Sequence, residues 1–208
     1  MAQTMTPSAI ATDEQFGKVS EILTAGLRKA KLQREPLQTV LKDQGKQLVS
    51  ELVAAIRRRV EAVSNLIIRT VEKVNRTRTG AEALKATGRN VYGNDKVIEA
   101  MPRGKGEDAE ITFLKPDLSE RGGYITDDDL EKWARDLGYT FADPFSLTAV
   151  NEEDPAFADE KPNATHWKDA EGKWCFAAFD RWGDGRCVRV HRHDRVWGDD
   201  WSFALVRK

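Results

Sequence analysis

The chain has 208 residues, and its 33 Lys and Arg nearly balance its 34 Asp and Glu, for a net charge of −1. This length allows one large domain or two small ones, and the charge balance argues against a protein that depends on a strongly basic, nucleic-acid-binding surface. The mean hydropathy is −0.58 and no apolar run approaches twenty residues, so we expect no membrane span. Because the N-terminus shows no secretory pattern, the sequence favours a cytoplasmic location without fixing it.

The N-terminal part predicts long helices. Residues 1–12 are small and polar, and we expect them to be disordered. Helical spacing of apolar residues begins at Asp13 and predicts a helix over 13–33. A second pattern over 37–75, preceded by Pro36 as a first helical residue, would be roughly 55–60 Å long at 1.5 Å per residue. Residues 13–75 are therefore predicted to be an oligomerisation or scaffold region, either a self-associating coiled coil or a hairpin of two helices.

Residues 76–107 are predicted to be a connector, because glycine and proline recur there. Thr79 is expected to cap a short helix over 80–87. The sequence Arg-Gly-Lys-Gly at 103–106 could attract a phosphate, but it lacks the Gly-Lys-Ser/Thr ending of a phosphate-binding loop and favours a turn.

The third region, 108–208, predicts short strands and helices. Strands are expected at 111–114, 174–179, 187–191 and 201–206, and an acidic loop at 151–165. Helices are expected after Thr126 and Asp143. The three aspartates that follow Thr126 favour a helix start, where negative charge is stabilised, over the sharper alternative of a metal site.

The last residues have an unusual composition. Residues 174–207 contain no Lys, Glu, Asn, Gln or Thr, although these five types make up about a third of residues 1–173. Asn and Lys codons begin with two adenines, and codons of the other three also carry adenine at informative positions. The Arg, Asp, Gly, His, Ser and Cys that remain can be reached from an Asn codon by replacing adenines. A high genomic GC content is the competing explanation, but it should act on the whole chain.

The same segment separates into two classes of position. Val188 and Val190 alternate with Arg189 and His191, which predicts a strand with one packed and one presented face. The predicted core positions are Trp182, Val188, Val190, Val196, Trp197, Trp201, Phe203, Ala204 and Leu205. Arg, His, Asp and Trp side chains suit recognition by charge-assisted hydrogen bonds and stacking.

Residues 182–208, WGDGRCVRVHRHDRVWGDDWSFALVRK, resemble the C-terminal variable region of diversity-generating retroelement variable proteins, and residues 164–174 resemble the entry to it. The resemblance implies an α+β chain whose residues 108–208 form a C-type-lectin-like domain. Its terminal strands and loops would display residues diversified by adenine-directed mutagenic reverse transcription. It also implies a non-enzymatic binder without cofactor or metal. The Glu-Pro-Asn loop of calcium-dependent lectins is absent, so sugar and calcium binding do not carry over.

The resemblance implies a ligand-binding set of polar positions and a scaffold of aromatic ones. The scaffold would comprise Trp182, Trp197, Trp201 and Phe203. The ligand-binding positions would be Asp180, Arg181, Gly183, Asp184, Arg186, Arg189, His191, His193, Asp194, Arg195, Asp199, Asp200 and Ser202. The ligand is expected to be an unidentified protein or other macromolecule.

Other chemistries are weaker on this sequence. Free thiols are favoured over a disulfide between Cys175 and Cys187. His191 and His193 with Asp194 are a weak metal candidate, and Cys187 with His191 a weaker nucleophilic pair. Six Arg and the Trp residues of the tail could stack on nucleic acid, but five Asp would repel phosphate. The alternative function is a phage or mobile-element structural protein with a helical stalk and a receptor-binding head.

Overall fold

The computed structural model describes residues 11–193 and 196–208. Of residues 1–12, for which disorder is predicted, only Ala11 and Thr12 are among the described residues. Asp194 and Arg195 also lie outside the described residues. The chain divides into a helical unit up to Val63 and a second unit, Ser64–Lys208. The described chain is α+β, two helices followed by a sheet of eight strands. This confirms the predicted fold class at that level, while the C-type-lectin-like identity stays a prediction.

The helical unit consists of α1 (Asp13–Lys29) and α2 (Arg34–Ala62). Thr12 caps α1 in a capping box with Gln15. Helix α2 begins at Arg34, so Pro36 is its third residue and not, as predicted, its first. Apolar side chains remain exposed along both helices, among them Phe16, Ile22, Leu27, Leu41, Leu52, Val53 and Val60. The described helices α1 and α2 therefore do not bury these apolar faces against each other.

The second helix is shorter than predicted, and the predicted region 13–75 is wrong at its C-terminal end. Helix α2 ends at Ala62, and β1 (Leu66–Val71) follows. Ile67, Thr70 and Val74 fall at helical spacing, but four of the six residues of β1 are β-branched and stiff at χ1, which favours a strand. Burial alternates along β1, as expected for an amphipathic strand.

The predicted connector is also wrong, because residues 76–107 belong to the folded sheet unit. They form α3 (Gly80–Ala86), β2 (Asn90–Gly93) and α4 (Asp95–Glu99). Leu84 and Ile98 are buried in the core. A Cβ on Gly80 would lie 2.3 Å from the Ile98 carbonyl oxygen, so this glycine permits close packing rather than a flexible link. The predicted cap at Thr79 is confirmed.

The C-terminal predictions agree with the structure except over 151–165. The helices after Thr126 and Asp143 and the four predicted strands are present. The predicted acidic loop instead contains the end of one helix, a further short helix and the start of a strand. The elements are β3 (Ala109–Leu114), a 3-10 turn (Ser119–Arg121), α5 (Asp127–Asp136), β4 (Tyr139–Phe141), α6 (Pro144–Glu153), α7 (Phe157–Glu160), β5 (Asn163–Lys168), β6 (Trp174–Trp182), β7 (Gly185–Arg192) and β8 (Ser202–Arg207).

The sheet has the strand order β1-β3-β8-β5-β6-β7-β2, and β4 also pairs with β8. The chain's last strand thus lies inside the sheet, parallel to β5 and antiparallel to β3. One hydrophobic cluster packs α3, α4, α6 and α7 on one face. A second cluster on the other face includes α5 and Trp197. Strands β6 and β7 form a hairpin that carries the first part of the tail.

Candidate ligand-binding surface

The tip of the β6–β7 hairpin carries five of the thirteen predicted ligand-binding residues. Gly183 and Asp184 form the turn, and Gly183 has φ +59°, which suits glycine. Arg181 and Asp184 are exposed, whereas Asp180 and Arg186 are half-buried. Trp182, predicted to be scaffold, is 77% exposed, so this assignment is wrong. It lies at the hairpin tip and belongs to neither hydrophobic cluster, which explains the difference. Val196 is likewise exposed rather than in the core.

One carboxylate from outside the tail holds two arginines at the hairpin tip. Asp159 Oδ2 lies 2.8 Å from Arg186 and 3.7 Å from Arg181, which are cross-strand neighbours. Asp159 Oδ1 lies 3.5 Å from the guanidinium of Arg89, whose side chain is 0% exposed. Arg89 also donates to the backbone carbonyl of Asp180 at 2.9 Å. Arg181 and Arg186 are therefore tied to the scaffold beneath the hairpin while their outer faces remain accessible.

Arg189 occupies the middle of the presented face of β7. It pairs with Asp180 at 2.5 Å, and its guanidinium lies over the Trp201 ring at 5.6 Å. Burial raises the pKa of Asp180, and the nearby Arg189 offsets this only in part. The predicted alternation is confirmed, because Val188 and Val190 are fully buried and Arg189 and His191 are partly exposed.

The two tail histidines have different surroundings. His191 packs its ring against Phe176, with ring centroids 6.2 Å apart. His193 lies one residue beyond β7, and its Nδ1 bonds Asp127 Oδ2 at 2.5 Å. The same carboxylate accepts the Trp197 indole N–H at 2.8 Å and bonds His166 Nδ1 at 2.8 Å. His193 is therefore largely an internal contact, and its expected role as a presented residue is not supported by its position.

Asp127 is a buried charge at the start of α5. Burial by itself would raise its pKa, but hydrogen bonds from His166, His193 and Trp197 outweigh that effect and hold the pKa well below the usual carboxyl range. The helix N-terminus favours the same negative charge. His166 stacks on Trp174 at a centroid distance of 4.3 Å, which fixes its ring. The expected helix start at the aspartates is confirmed, since Thr126 is the N-cap.

The remaining predicted positions follow β7. Asp199 and Asp200 are exposed. Ser202 is only 7% exposed, as the first residue of β8, so its prediction as a presented residue is wrong. Its backbone N–H bonds the Pro162 carbonyl, which anchors the strand start inside the sheet. Asp194 and Arg195 lie outside the described residues.

The structure gives little support to the weaker chemistries. Cys175 and Cys187 are buried free thiols, as predicted, and burial raises the pKa of Cys175. Cys187 and His191 are four residues apart on one strand, about 13 Å at the usual rise, which is too far for a nucleophile and its base. Across residues 11–193 and 196–208, no group of three or more His, Cys, Asp or Glu is arranged to hold a metal ion.

The loop at 103–106 wraps around a guanidinium instead of an anion. Arg76 Nε donates to the Gly106 carbonyl at 2.8 Å and its Nη1 to the Arg103 carbonyl and to Asp143. Residues 103–106 form neither helix nor strand, and the carbonyls of Arg103 and Gly106 rather than the loop's N–H groups face the bound guanidinium. A cavity of about 470 Å³ adjoins this loop, lined by side chains of both signs, Lys105 and Asp108 among them.

Sequence reasoning missed the scaffold groups that hold the tail. Nothing in the sequence marks Arg89, Asp159 or His166 as groups that hold the tail, and it marks Asp127 only as part of a helix start. Their partners are distant in sequence, 70 residues in the case of Asp127 and Trp197, so no local pattern marks them.

Comparison with protein-family models, with curated proteins and with solved structures finds no match to this chain. In the described ranges, no helix has both the length and the apolar character that crossing a membrane requires.

Proposed function

We propose that this chain is a non-enzymatic binding protein whose C-terminal tail is a replaceable ligand-binding surface on a fixed scaffold, diversified by a retroelement. The observation that carries the proposal is the absence of five residue types from 174–207. In support, the exposed and half-exposed members of that segment lie on neighbouring strands and a following loop. The residues that hold them, such as Arg89, Asp127 and Asp159, come from the part with ordinary composition.

The neighbouring DNA tests the diversification directly. We expect a near-copy of codons 174–208 that differs only at adenines, beside a gene for a reverse transcriptase. A gene neighbourhood without such a repeat would contradict the diversification, and a position among capsid or tail genes would favour the phage structural alternative. The ligand is proposed to be a protein or other macromolecule. Nucleic acid is disfavoured because the five Asp of the tail would repel phosphate.

A display experiment tests whether the surface tolerates replacement and can bind. Randomising Arg181, Asp184, His191, Asp199 and Asp200 in the full chain is expected to change the free energy of unfolding by about 0.5 kcal/mol or less per site, because these side chains are exposed or half-exposed. Cell-surface display with selection against purified lysozyme should then yield binders. Randomising the buried Val188, Val190 and Phe203 is the matched control, and we expect it to abolish folded display. Poor display of the first library would contradict the proposal.

We propose further that the helical unit makes a homo-oligomer. The supporting observation is the series of exposed apolar side chains along α1 and α2, which an isolated chain leaves in contact with water. In the phage alternative the same helices would form the stalk.

Sedimentation of the full chain tests this association. We expect a mass above the monomer's 23.4 kDa and a dissociation constant raised about tenfold or more by Leu41→Gln with Leu52→Gln, because each loses apolar burial in the interface. Gln38→Ala with Lys42→Ala on exposed polar positions is the control and should leave the constant unchanged. A wild-type monomer that persists at high protein concentration would remove the oligomer from the proposal.

A further inference from the structure

A single buried carboxylate fastens the segment between β7 and β8 to the start of α5. Asp127 accepts from His193, just after β7, and from the indole of Trp197, farther along that segment. Trp197 is also bonded to Ile125 through two backbone hydrogen bonds of 3.0 and 2.9 Å. Both side-chain donors are largely buried, so water cannot easily replace them.

Both the backbone and the ring of His193 are held by neighbouring groups. Its backbone N–H bonds the Trp174 carbonyl at 2.8 Å. Its ring contacts Phe176 edge-on at 5.3 Å and Trp197 at 4.5 Å between centroids. The titratable side chains around Asp127 are His166 and His193, with Glu131 facing His166 Nε2 at 3.5 Å. One carboxylate thus serves three N–H donors, and removing one donor alters the whole group.

We infer that Asp127 is a positioning residue for the ligand-binding surface, and that His193 is its fixed partner instead of a replaceable ligand contact. The inference rests on the proposed function and removes His193 from its set of replaceable ligand contacts. Position 193 must supply an N–H donor to Asp127. Of the residues reachable from an Asn codon by replacing adenines, His keeps such a donor at the observed reach, as does Asn itself, whereas the N–H groups of Arg lie farther out on a longer side chain. Asp would place a second carboxylate against Asp127, and Gly would leave no side chain.

His191 is the natural comparison. It lies two residues earlier on the same strand, is of the same residue type, and contacts the neighbouring Phe176. Its ring has no hydrogen bond among those described, so its replacement should leave the segment between β7 and β8 in place. Any effect common to both positions would reflect general loss of aromatic packing.

The experiment separates donor chemistry from space filling in the full chain. His193→Asn keeps an N–H donor and loses the ring, whereas His193→Phe keeps a ring and loses the donor. We expect the Trp197 backbone amide to exchange with solvent deuterium about tenfold or more faster in His193→Phe and within about threefold of wild type in His193→Asn. The Trp197 indole N–H resonance should move in His193→Phe and stay near its wild-type position in His193→Asn.

The controls decide between positioning and packing. His191→Phe should change neither the exchange rate nor the indole resonance. If His193→Phe behaves as wild type while His193→Asn exchanges faster, the ring fills space and the inference fails. Equal effects at 191 and 193 would also overturn it. Asp127→Asn is a supporting variant, and if it does not fold the His193 pair still gives the answer.

Failure of this inference can be distinguished from failure of the proposed function. In the lysozyme selection, a library that also randomises 193 should retain His or Asn there while 191 varies freely. Binders with unrestricted residues at 193 would refute the inference and leave the proposed function standing. If the His193 variants show the expected exchange rates but the selection yields no binder, the inference stands and the proposed function fails.

Discussion

Asp127→Ala is expected to lower the free energy of unfolding of the sheet unit by about 3 kcal/mol or more at neutral pH. The substitution removes the acceptor of three N–H groups, two of them on histidines and one on Trp197. Those donors would remain largely buried and unpaired, which costs more than the loss of an exposed interaction. All six tryptophans lie in the sheet unit, so their fluorescence during urea unfolding reports that unit.

The stability that Asp127→Ala loses is expected to become smaller at acidic pH. The pKa of Asp127 is lowered by folding, so its carboxylate stabilises the native state fully above the usual carboxyl pKa of about 3.9. That contribution is lost as the pH falls through the lowered native pKa. The difference between wild type and Asp127→Ala should therefore remain large down to about pH 5 and shrink below about pH 4.

Asp128→Ala is the matched control on the next residue. The side chain of Asp128 is 82% exposed, and its contacts are an indole N–H at 3.2 Å and Lys168 at 3.5 Å. We expect it to cost no more than about 1 kcal/mol. Equal losses for Asp127→Ala and Asp128→Ala would mean that the buried network does not stabilise the unit.

Local chemistry explains which elements the sequence predicts well. Thr79, Thr126 and Asp143 cap helices as expected, because a cap depends on residues within one turn. The alternation of Val188 and Val190 with polar neighbours predicts β7, because one packed face needs only a period of two. These signals are contained within a few residues of the chain.

The errors arise where tertiary contacts decide. Leu66–Val71 reads as a continuation of the helix by spacing, but its pairing with β3 makes it a strand. The glycines of 76–107 suggest a connector, whereas Gly80 and Gly93 permit close packing against Ile98. The resemblance and the layout of the tail place Trp182 in the scaffold, and only its place at the hairpin tip shows that it is exposed. The resemblance places His193 among the presented residues, and no local pattern reveals its partner Asp127, which is 66 residues away in sequence.

Asp159→Ala is expected to destabilise the sheet unit by about 3 kcal/mol or more, and more than removal of its buried partner Arg89. Without Asp159, the buried guanidinium of Arg89 loses its ion-pair partner, although burial already lowers the pKa of Arg89. Arg181 and Arg186 lose the same carboxylate but can turn to water. Arg89→Met removes the buried charge and leaves Asp159 paired with Arg186 at 2.8 Å.

A double variant tests whether loss of Asp159 costs more stability than loss of Arg89. Arg89→Met leaves the Asp180 and Pro155 carbonyls without their donor, which we expect to cost about 1–2 kcal/mol. Asp159→Ala combined with Arg89→Met should be more stable than Asp159→Ala alone, because no buried charge is left unpaired. Asp184→Ala at the exposed turn is the control and should change stability by about 0.5 kcal/mol or less. Additive losses in the double variant would show that Arg89 and Asp159 act independently, and the hairpin would then not be held by this pair.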